Sequence, residues 1–348
     1  MVILVDAMGG DNAPVEVIKG AIKALDVVGS DILLVGDKNI INSKVKELYN
    51  KNNISEISSR IKVHHTTEVI SNDDTPIKAI KSKKDSSMVV ALDLLKSGKG
   101  DILISAGNTG ALMAGGLFSV GRIKGIDRPA LGGILPAYKK SLLLIDSGAN
   151  TNCKPINLVQ FAQMGSIYLK TCLNVEKPVV GLLNIGTEET KGNDLTKESY
   201  IELKKLGDQG EINFAGNIEG REAFSGDIDI VVADGFTGNV FLKTVEGFGG
   251  FVKKVLMENM KKNIFTKIGA LFSLPAMNKF KKAMDYKEYG GALLLGIKKP
   301  IIKAHGSSDE KLFLYTIKQA ERFVKSGAND MIIKHFEKQD VLRKELNN

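Results

Sequence analysis

Eight short runs of this chain are apolar without alternating: VILVDA from residue 2, DILLVG from 31, IKVHH from 61, DILISA from 101, LLLID from 142, PVVGLLN from 178, INFAGN from 212 and DIVVAD from 229. A strand with one face in water alternates apolar and polar residues. Runs that do not alternate are expected of strands buried on both faces, as in a mostly parallel sheet covered by helices on each side. The stretches between them carry helix signals. Pro14 and Pro155 stand where first helical residues belong, and Ser307 with Glu310 forms a capping-box pattern ahead of Lys311. The pattern predicts a doubly wound, mostly parallel, three-layer α/β/α fold. No repeat, low-complexity tract or Gly/Ser linker divides it, so residues 1–348 are expected to form one catalytic domain, with an inserted amphipathic helical element over 247–287.

Composition narrows the class. The 43% hydrophobic content of 348 residues is enough for a full core. Cys153 and Cys172 make no disulfide framework, which points to a reducing cytoplasm. Met1 runs directly into the first strand with no signal-peptide pattern. The longest uncharged run, Ile102 to Gly121, holds Ser105, Asn108, Thr109 and five glycines, and reads as strand, loop and helix rather than a membrane span. The net charge is +8, and nine lysines against Glu258 and Asp285 concentrate most of it between Phe251 and Lys287.

Strand after strand ends in a small, polar, glycine-containing turn: DAMGGDNAP (6–14), SAGNTGA (105–111), DSGAN (146–150), NIGTEETKGND (184–194), NIEGRE (217–222) and DGFTGN (234–239). In an open parallel sheet such turns line one crevice, and backbone N–H groups beside glycine or at a helix N-terminus suit an anion. Six of them suggest a phosphate-bearing ligand. Neither GxxxxGK[ST] nor a GxGxxG after a strand is present, so neither a nucleoside triphosphate nor a dinucleotide is specifically signalled.

Nucleophiles are scarce. Cys153 sits beside Lys154 in NTNCKP but reads as a packed thiol. His64 and His65 end a strand without metal-ligand spacing, and His335 lies on a polar late helix, where it reads as a surface residue. His305, in KAHGSSDEK, is the histidine in a glycine-rich context. Lys191 and Arg221 are the cations embedded in the turns. Asp6, Asp11, Asp146 and Asp234 read as braces for loops and helix ends before metal ligands, and neither a metal nor a cofactor is expected.

VDAMGGDNAP, SAGNTGA, RPAL, NIGTEETKGND, NIEGRE, DGFTGNVFLKTVEG, EYGGALLLG and KAHGSS occur in this order from Met1 to about Val324. In this the chain resembles the bacterial acyl-carrier-protein:phosphate acyltransferase family, PlsX. Ser147, where an apolar residue is expected, and the lysine-rich stretch 260–285 depart from its pattern. The resemblance implies a fold like that of isocitrate and isopropylmalate dehydrogenases and phosphotransacetylases. It implies transfer of a fatty acyl group from acyl carrier protein to inorganic phosphate, giving acyl phosphate for phospholipid synthesis. A bound phosphate oxygen can attack a thioester directly, so the missing nucleophile is an expected absence.

On that basis Lys191, Asn239 and His305 are expected to be catalytic. Gly9, Gly10, Gly107, Asn108, Thr109, Gly110, Arg221, Gly235, Thr237 and Gly238 are expected to bind phosphate or the developing oxyanion, with Glu188 and Glu189 orienting Lys191. The basic segment, broken into two helices at Pro275, is expected to offer Leu271, Phe272, Lys279, Lys281 and Lys282 to a membrane surface or to the acidic carrier. Arg122, Lys124 and Arg128 are the other cations suited to the carrier. The resemblance further implies a homodimer and delivery to a membrane-bound glycerol-3-phosphate acyltransferase, with the protein cytoplasmic and peripherally membrane-associated and no nucleic acid partner. The alternatives are a phosphotransacetylase-like acyl-CoA:phosphate transferase and an NAD-dependent decarboxylating dehydrogenase on the same fold.

Overall fold

The computed structural model describes residues 1–48, 59–283 and 286–346, without the side chains of 278, 281–283, 286, 287 and 343–346. Its strands are β1 (Val2–Asp6), β2 (Asp31–Gly36), β3 (Ile61–His65), β4 (Ile102–Ser105), β5 (Ala130–Pro136), β6 (Ser141–Ile145), β7 (Val179–Leu183), β8 (Asn213–Ile218), β9 (Ile230–Val232), β10 (Ala292–Leu295) and β11 (Ile301–Lys303). The described helices are α1 (Val15–Ala24), α2 (Lys38–Leu48), α3 (Pro76–Ser82), α4 (Ser87–Lys96), α5 (Thr109–Gly115), α6 (Pro155–Leu173), α7 (Asp194–Asp208), α8 (Gly235–Met260), α9 (Ile264–Phe272), α10 (Leu274–Ala283), α11 (Glu310–Ser326) and α12 (Ala328–Leu346).

All eleven strands share one sheet in the order β3-β2-β1-β4-β11-β10-β5-β6-β9-β7-β8. Seven neighbouring pairs are parallel, and the steps β11 to β10, β10 to β5 and β5 to β6 are antiparallel. Each of the eight apolar runs is a strand, and the expected mostly parallel α/β/α fold is the one adopted. The strands without such a signal, β5, β10 and β11, lie together at the centre. Three antiparallel steps in succession reverse the sheet, so β6, β9, β7 and β8 run opposite to β1 to β4. The expectation that all six glycine turns end at one crevice is corrected in part: residues of the turns 105–111, 146–150 and 234–239 line a single crevice, whereas 6–14, 184–194 and 217–222 contribute none to its lining.

The unalternating strands bury both faces. Ile3 and Val5 of β1 enter a core with Ile18 of α1, Phe161 of α6 and Phe313 of α11, while Leu4 points to the opposite face with Met88 and Leu92 of α4. In β6, Leu143 and Ile145 join the first core, but Leu142 and Leu144 join a third cluster with Ala223 and Leu183. One face of the sheet thus carries a continuous core. On the other face the core is split in two, and the split falls along β5, where Leu131 belongs to one cluster and Leu135 to the other.

Helix starts needed small corrections. Pro155 opens α6 as its first residue, but Pro14 caps α1 from outside it. The cap of α11 is Asp309, whose carboxylate accepts from Leu312 N at 3.0 Å, and Ser307 is occupied with His305 instead. The basic segment comprises three helices. Residue 247 lies inside the continuous α8, a first break follows Met260, and a second falls at Ser273, one residue before the helix containing Pro275.

Candidate active site

The split in the core is a crevice of about 800 Å³, within the roughly 300–1,000 Å³ usual for small-molecule sites. Leu131, Ile134 and Leu135 of β5 form its floor, and Ile77, Met113 and Leu242 form apolar walls. One corner is polar. Lys303, His305, Lys243 and Glu246 meet there with Thr109, Gly110 and Asn239.

Lys303 ends the otherwise apolar β11 and is half-buried. Its Nζ donates to the Ala106 carbonyl at 3.3 Å and to the Ala304 carbonyl at 2.5 Å. An ammonium has three donors, so one remains for a ligand. Burial pushes its pKa down to about 8, against the opposing pull of Asp6 and Asp11. Lys243 is paired with Glu246 at 2.7 Å and lies 3.4 Å from His305 Nε2. Nδ1 of His305 meets Ser307 N at 3.2 Å and Ser307 Oγ at 2.8 Å, while the ammonium of Lys243, a donor only, faces Nε2. Desolvation, then Lys243, lowers the pKa of this imidazole, which favours its neutral form.

The glycine turns are shaped chiefly around the protein's own carboxylates. Asp6, fully buried, accepts from Ser105 Oγ at 2.7 Å and from the N–H groups of Met8 and Gly9. A Cβ on Gly9 would stand 2.5 Å from Asp6 Oδ2 and 2.8 Å from Gly107 N, so glycine is required for the turns after β1 and β4 to touch. Gly10 abuts Ala106 and Gly306, and the Gly107 N–H is used by Ser105 Oγ at 3.1 Å. Asn108 is spent as well: its Oδ1 caps Ala111 N, and its amide donates to the carbonyls of Ser71, Asn72 and Asp74. What stays open at this turn are the first-turn N–H groups of Thr109 and Gly110, which an α-helix leaves without intrahelical partners.

The 234–239 turn is the largest departure from expectation. It is the first turn of α8, not an open loop. Asp234 caps Phe236 N and Thr237 N at 2.9 and 3.0 Å and takes the Thr237 hydroxyl at 2.7 Å. The N–H of Gly235 donates to Asn150 O, and that of Gly238 to Asp234 O. A Cβ on Gly238 would fall 1.9 Å from the Asp146 carbonyl, so this glycine lets α8 lie against the turn after β6. The backbone of Gly235 to Gly238 is therefore engaged, which corrects the expectation that it lies open to an anion. Asn239, one residue on, does face the crevice.

Lys191 and Arg221 are absent from the crevice lining. Both follow strands of the reversed half, and Arg221, 80% exposed, pairs with Glu219 at 2.6 Å. Glu189 is committed to Lys204 and Tyr200 rather than to Lys191. Cys153 is no activated nucleophile: burial first, and then Asp146, raises its pKa to about 11. His65 accepts from Lys38 N, and His335 is half-buried beside Gln339 rather than on the surface. Leu271 and Phe272, 64% and 82% exposed, lie on α9, far in sequence from the corner; Lys279 is exposed on α10, and the side chains of Lys281 and Lys282 lie outside the described residues. Lys303 and Lys243 escaped the sequence reading, although KAHGSS and DGFTGNVFLKT contain them.

Comparison with known proteins places the family and the fold. The fatty acid synthesis protein family matches residues 1–331. A phosphate acyltransferase from Thermoanaerobacterium thermosaccharolyticum is 48% identical over 339 residues, 97% of this chain and 96% of its own. Among solved structures, the EutD phosphotransacetylase of Staphylococcus aureus superposes with a TM-score of 0.60 at 15% identity, covering 94% of both chains. A 4-hydroxythreonine-4-phosphate dehydrogenase from Klebsiella pneumoniae does so with 0.53 at 12%, covering 93% of this chain and 99% of that one. At such identities the solved structures speak for the fold alone. The near-complete match to the family and to its curated relative decides the rest: this chain belongs to the fatty acid synthesis protein family, among the phosphate acyltransferases, and is an acyltransferase.

Proposed function

We propose that the protein transfers a fatty acyl group from the phosphopantetheine thioester of acyl carrier protein to inorganic phosphate. The observation that carries this reading is the corner itself: an unspent ammonium donor on Lys303, the His305 imidazole and the open N–H groups of α5 border a crevice whose floor and walls are largely apolar. Phosphate would sit on Lys303, Thr109 N and Gly110 N, with the acyl chain along β5 and Met113. A phosphate oxygen attacks the thioester carbonyl carbon, the carbonyl oxygen takes up the negative charge, and the C–S bond then breaks to release thiolate and acyl phosphate. The Lys243 ammonium beside the His305 ring and the Asn239 amide are the donors available to the developing oxyanion and the leaving sulfur. No side-chain nucleophile is needed, in keeping with the inert Cys153.

Mixing the protein with acyl carrier protein thioester and phosphate, then trapping with hydroxylamine, should yield acyl hydroxamate above the enzyme-free background of the thioester only when phosphate is present. Enzyme-dependent hydroxamate formed equally without phosphate would mean an acyl-enzyme and end this reading. Faster turnover of acyl-CoA than of the carrier thioester would instead favour a phosphotransacetylase-like donor.

The membrane contact and homodimer belong to the same proposal. No described helix is long and apolar enough to cross a bilayer. Yet α9 buries none of its residues, and Phe265 and Phe272 are more than 80% exposed beside Lys267. An apolar stripe with cations alongside suits an interfacial helix on a cytoplasmic leaflet, from which acyl phosphate can pass to a membrane acyltransferase. Co-sedimentation with anionic liposomes should fall when Leu271 and Phe272 become Asp, and unchanged sedimentation removes that part.

A further inference from the structure

Beside the turn 146–150, the crevice adjoins a second one of about 440 Å³, and Ile77, Met113, Ala114 and Ala149 belong to the walls of both. The shared wall is held firmly. Asp146 accepts from Ala149 N and Asn150 N at 2.8 Å, and the Asn150 amide donates to Pro129 O at 2.7 Å. At the outer lip stand Leu117 and Phe118, 39% and 64% exposed, on a π-helical turn over Gly116–Val120. Such wide turns recur at functional sites.

Three cations rim this second crevice: Arg122, Arg128 and Lys154. Arg122 is spent on the carbonyl and carboxylate of Asp127. No carboxylate pairs with Arg128 or Lys154 among the described residues, and both are exposed. Two cations without a carboxylate partner therefore stand at the second crevice, which shares four lining residues with the crevice that holds Lys303. Adjoining crevices of this kind suit a slender arm with its reactive end in the one and its phosphate at the other. We infer that the second crevice admits the 4′-phosphopantetheine arm of the thioester donor, its phosphate held by Arg128 and Lys154. This rests on the thioester reading above and adds the route by which the donor enters. The same arm is carried by acyl carrier protein and by coenzyme A, and bidentate or paired cationic contact suits its phosphate in either.

Calorimetric titration tests the inference without any turnover. Wild type should bind 4′-phosphopantetheine at least tenfold more tightly than pantetheine; Arg128→Ala with Lys154→Ala should erase that preference and leave pantetheine affinity unchanged. In turnover, the double variant should lose about tenfold or more in kcat/KM with both acyl carrier protein and acyl-CoA thioesters. Its rate with acyl-pantetheine, which lacks the phosphate, and its KM for inorganic phosphate should hold. An unchanged preference in the titration, or an equal loss with acyl-pantetheine, overturns the inference. So does a loss confined to the carrier, which would assign these cations to the carrier's protein surface. A wild type that binds phosphopantetheine with the stated preference yet forms no acyl phosphate would sink the reaction while leaving the arm's site in place.

Discussion

The two halves of the sheet repeat one device and use it differently. VILVDAMGG and LLLIDSGAN each end an apolar strand in a buried aspartate followed by a small, glycine-containing turn. Asp146 is held entirely by neutral donors: the N–H groups of Leu131, Gly148, Ala149 and Asn150, and the Asn150 amide. Asp6 also takes hydroxyl and backbone donors, but it lies within electrostatic reach of Lys303. Burial raises both carboxyls, and the donors oppose that rise. The difference separates architecture from chemistry. In the β6 half a carboxylate organises backbone, whereas in the β1 half a similar carboxylate also sustains a cation at the crevice.

The largest effect that should break the parallel is on stability. Asp146→Ala strands five donors inside the protein, and each buried unsatisfied donor costs roughly 1–3 kcal/mol. With partial relief by relaxation or water, a loss of about 3–5 kcal/mol in urea unfolding is expected, comparable to breaking a buried charged network. Asp6→Asn keeps the shape and one of the two acceptor oxygens, so its loss should be smaller, about 1–2 kcal/mol. Equal losses would mean that the two turns are braced alike and that the contrast is without energetic content.

Next comes catalysis. Lys303→Met keeps the aliphatic stem and removes the charge and the open donor. A fall of about 10²–10³ in kcat/KM is expected, the usual size for deleting one preorganised transition-state donor, with the unfolding midpoint little altered or raised. Lys191→Met and Arg221→Met, in the reversed half, should change kcat/KM by less than about twofold. A large loss at Lys191 with none at Lys303 would return the site to the loops favoured by sequence alone.

How far the sequence could be read depends on what each feature needs from the rest of the chain. Eight strands were legible because burial on both faces is written locally, in unbroken apolar runs. ALGGILP, ALLL and IIK were not, since paired glycines interrupt the first and glycines or lysines crowd the other two, and pairing with neighbours makes them strands. Missing them meant missing the reversal of the sheet and the antiparallel centre over which the crevice lies. The glycine turns were legible as turns, but the uses of their N–H groups were not. Asp234 ahead of Phe236 and Thr237 is an N-cap signature as much as a phosphate loop, and only geometry decides between them. Lys303 did leave a signal: a lysine closing a strand that is otherwise buried must be solvated by something specific.

The smallest effect, and the one that addresses the contrast most directly, is on pH dependence. With its pKa near 8, Lys303 loses its charge where an exposed lysine would keep it, so kcat/KM for phosphate in the free enzyme should fall about tenfold per pH unit above roughly 8. Stability moves the other way. Because the folded-state pKa is depressed, the unfolded chain binds more protons between about 8 and the ordinary lysine value, so this group's contribution to stability rises with pH across that window. Lys303→Arg should retain some activity and abolish the alkaline fall, since a guanidinium stays charged. Asp6→Asn removes a charge that supports the ammonium, so the midpoint of the fall should move below that of wild type. In a folded Asp146→Asn variant it should stay put. A midpoint that shifts equally in both variants would show that both aspartates act on Lys303, and the division between a structural half and a chemical half would fail.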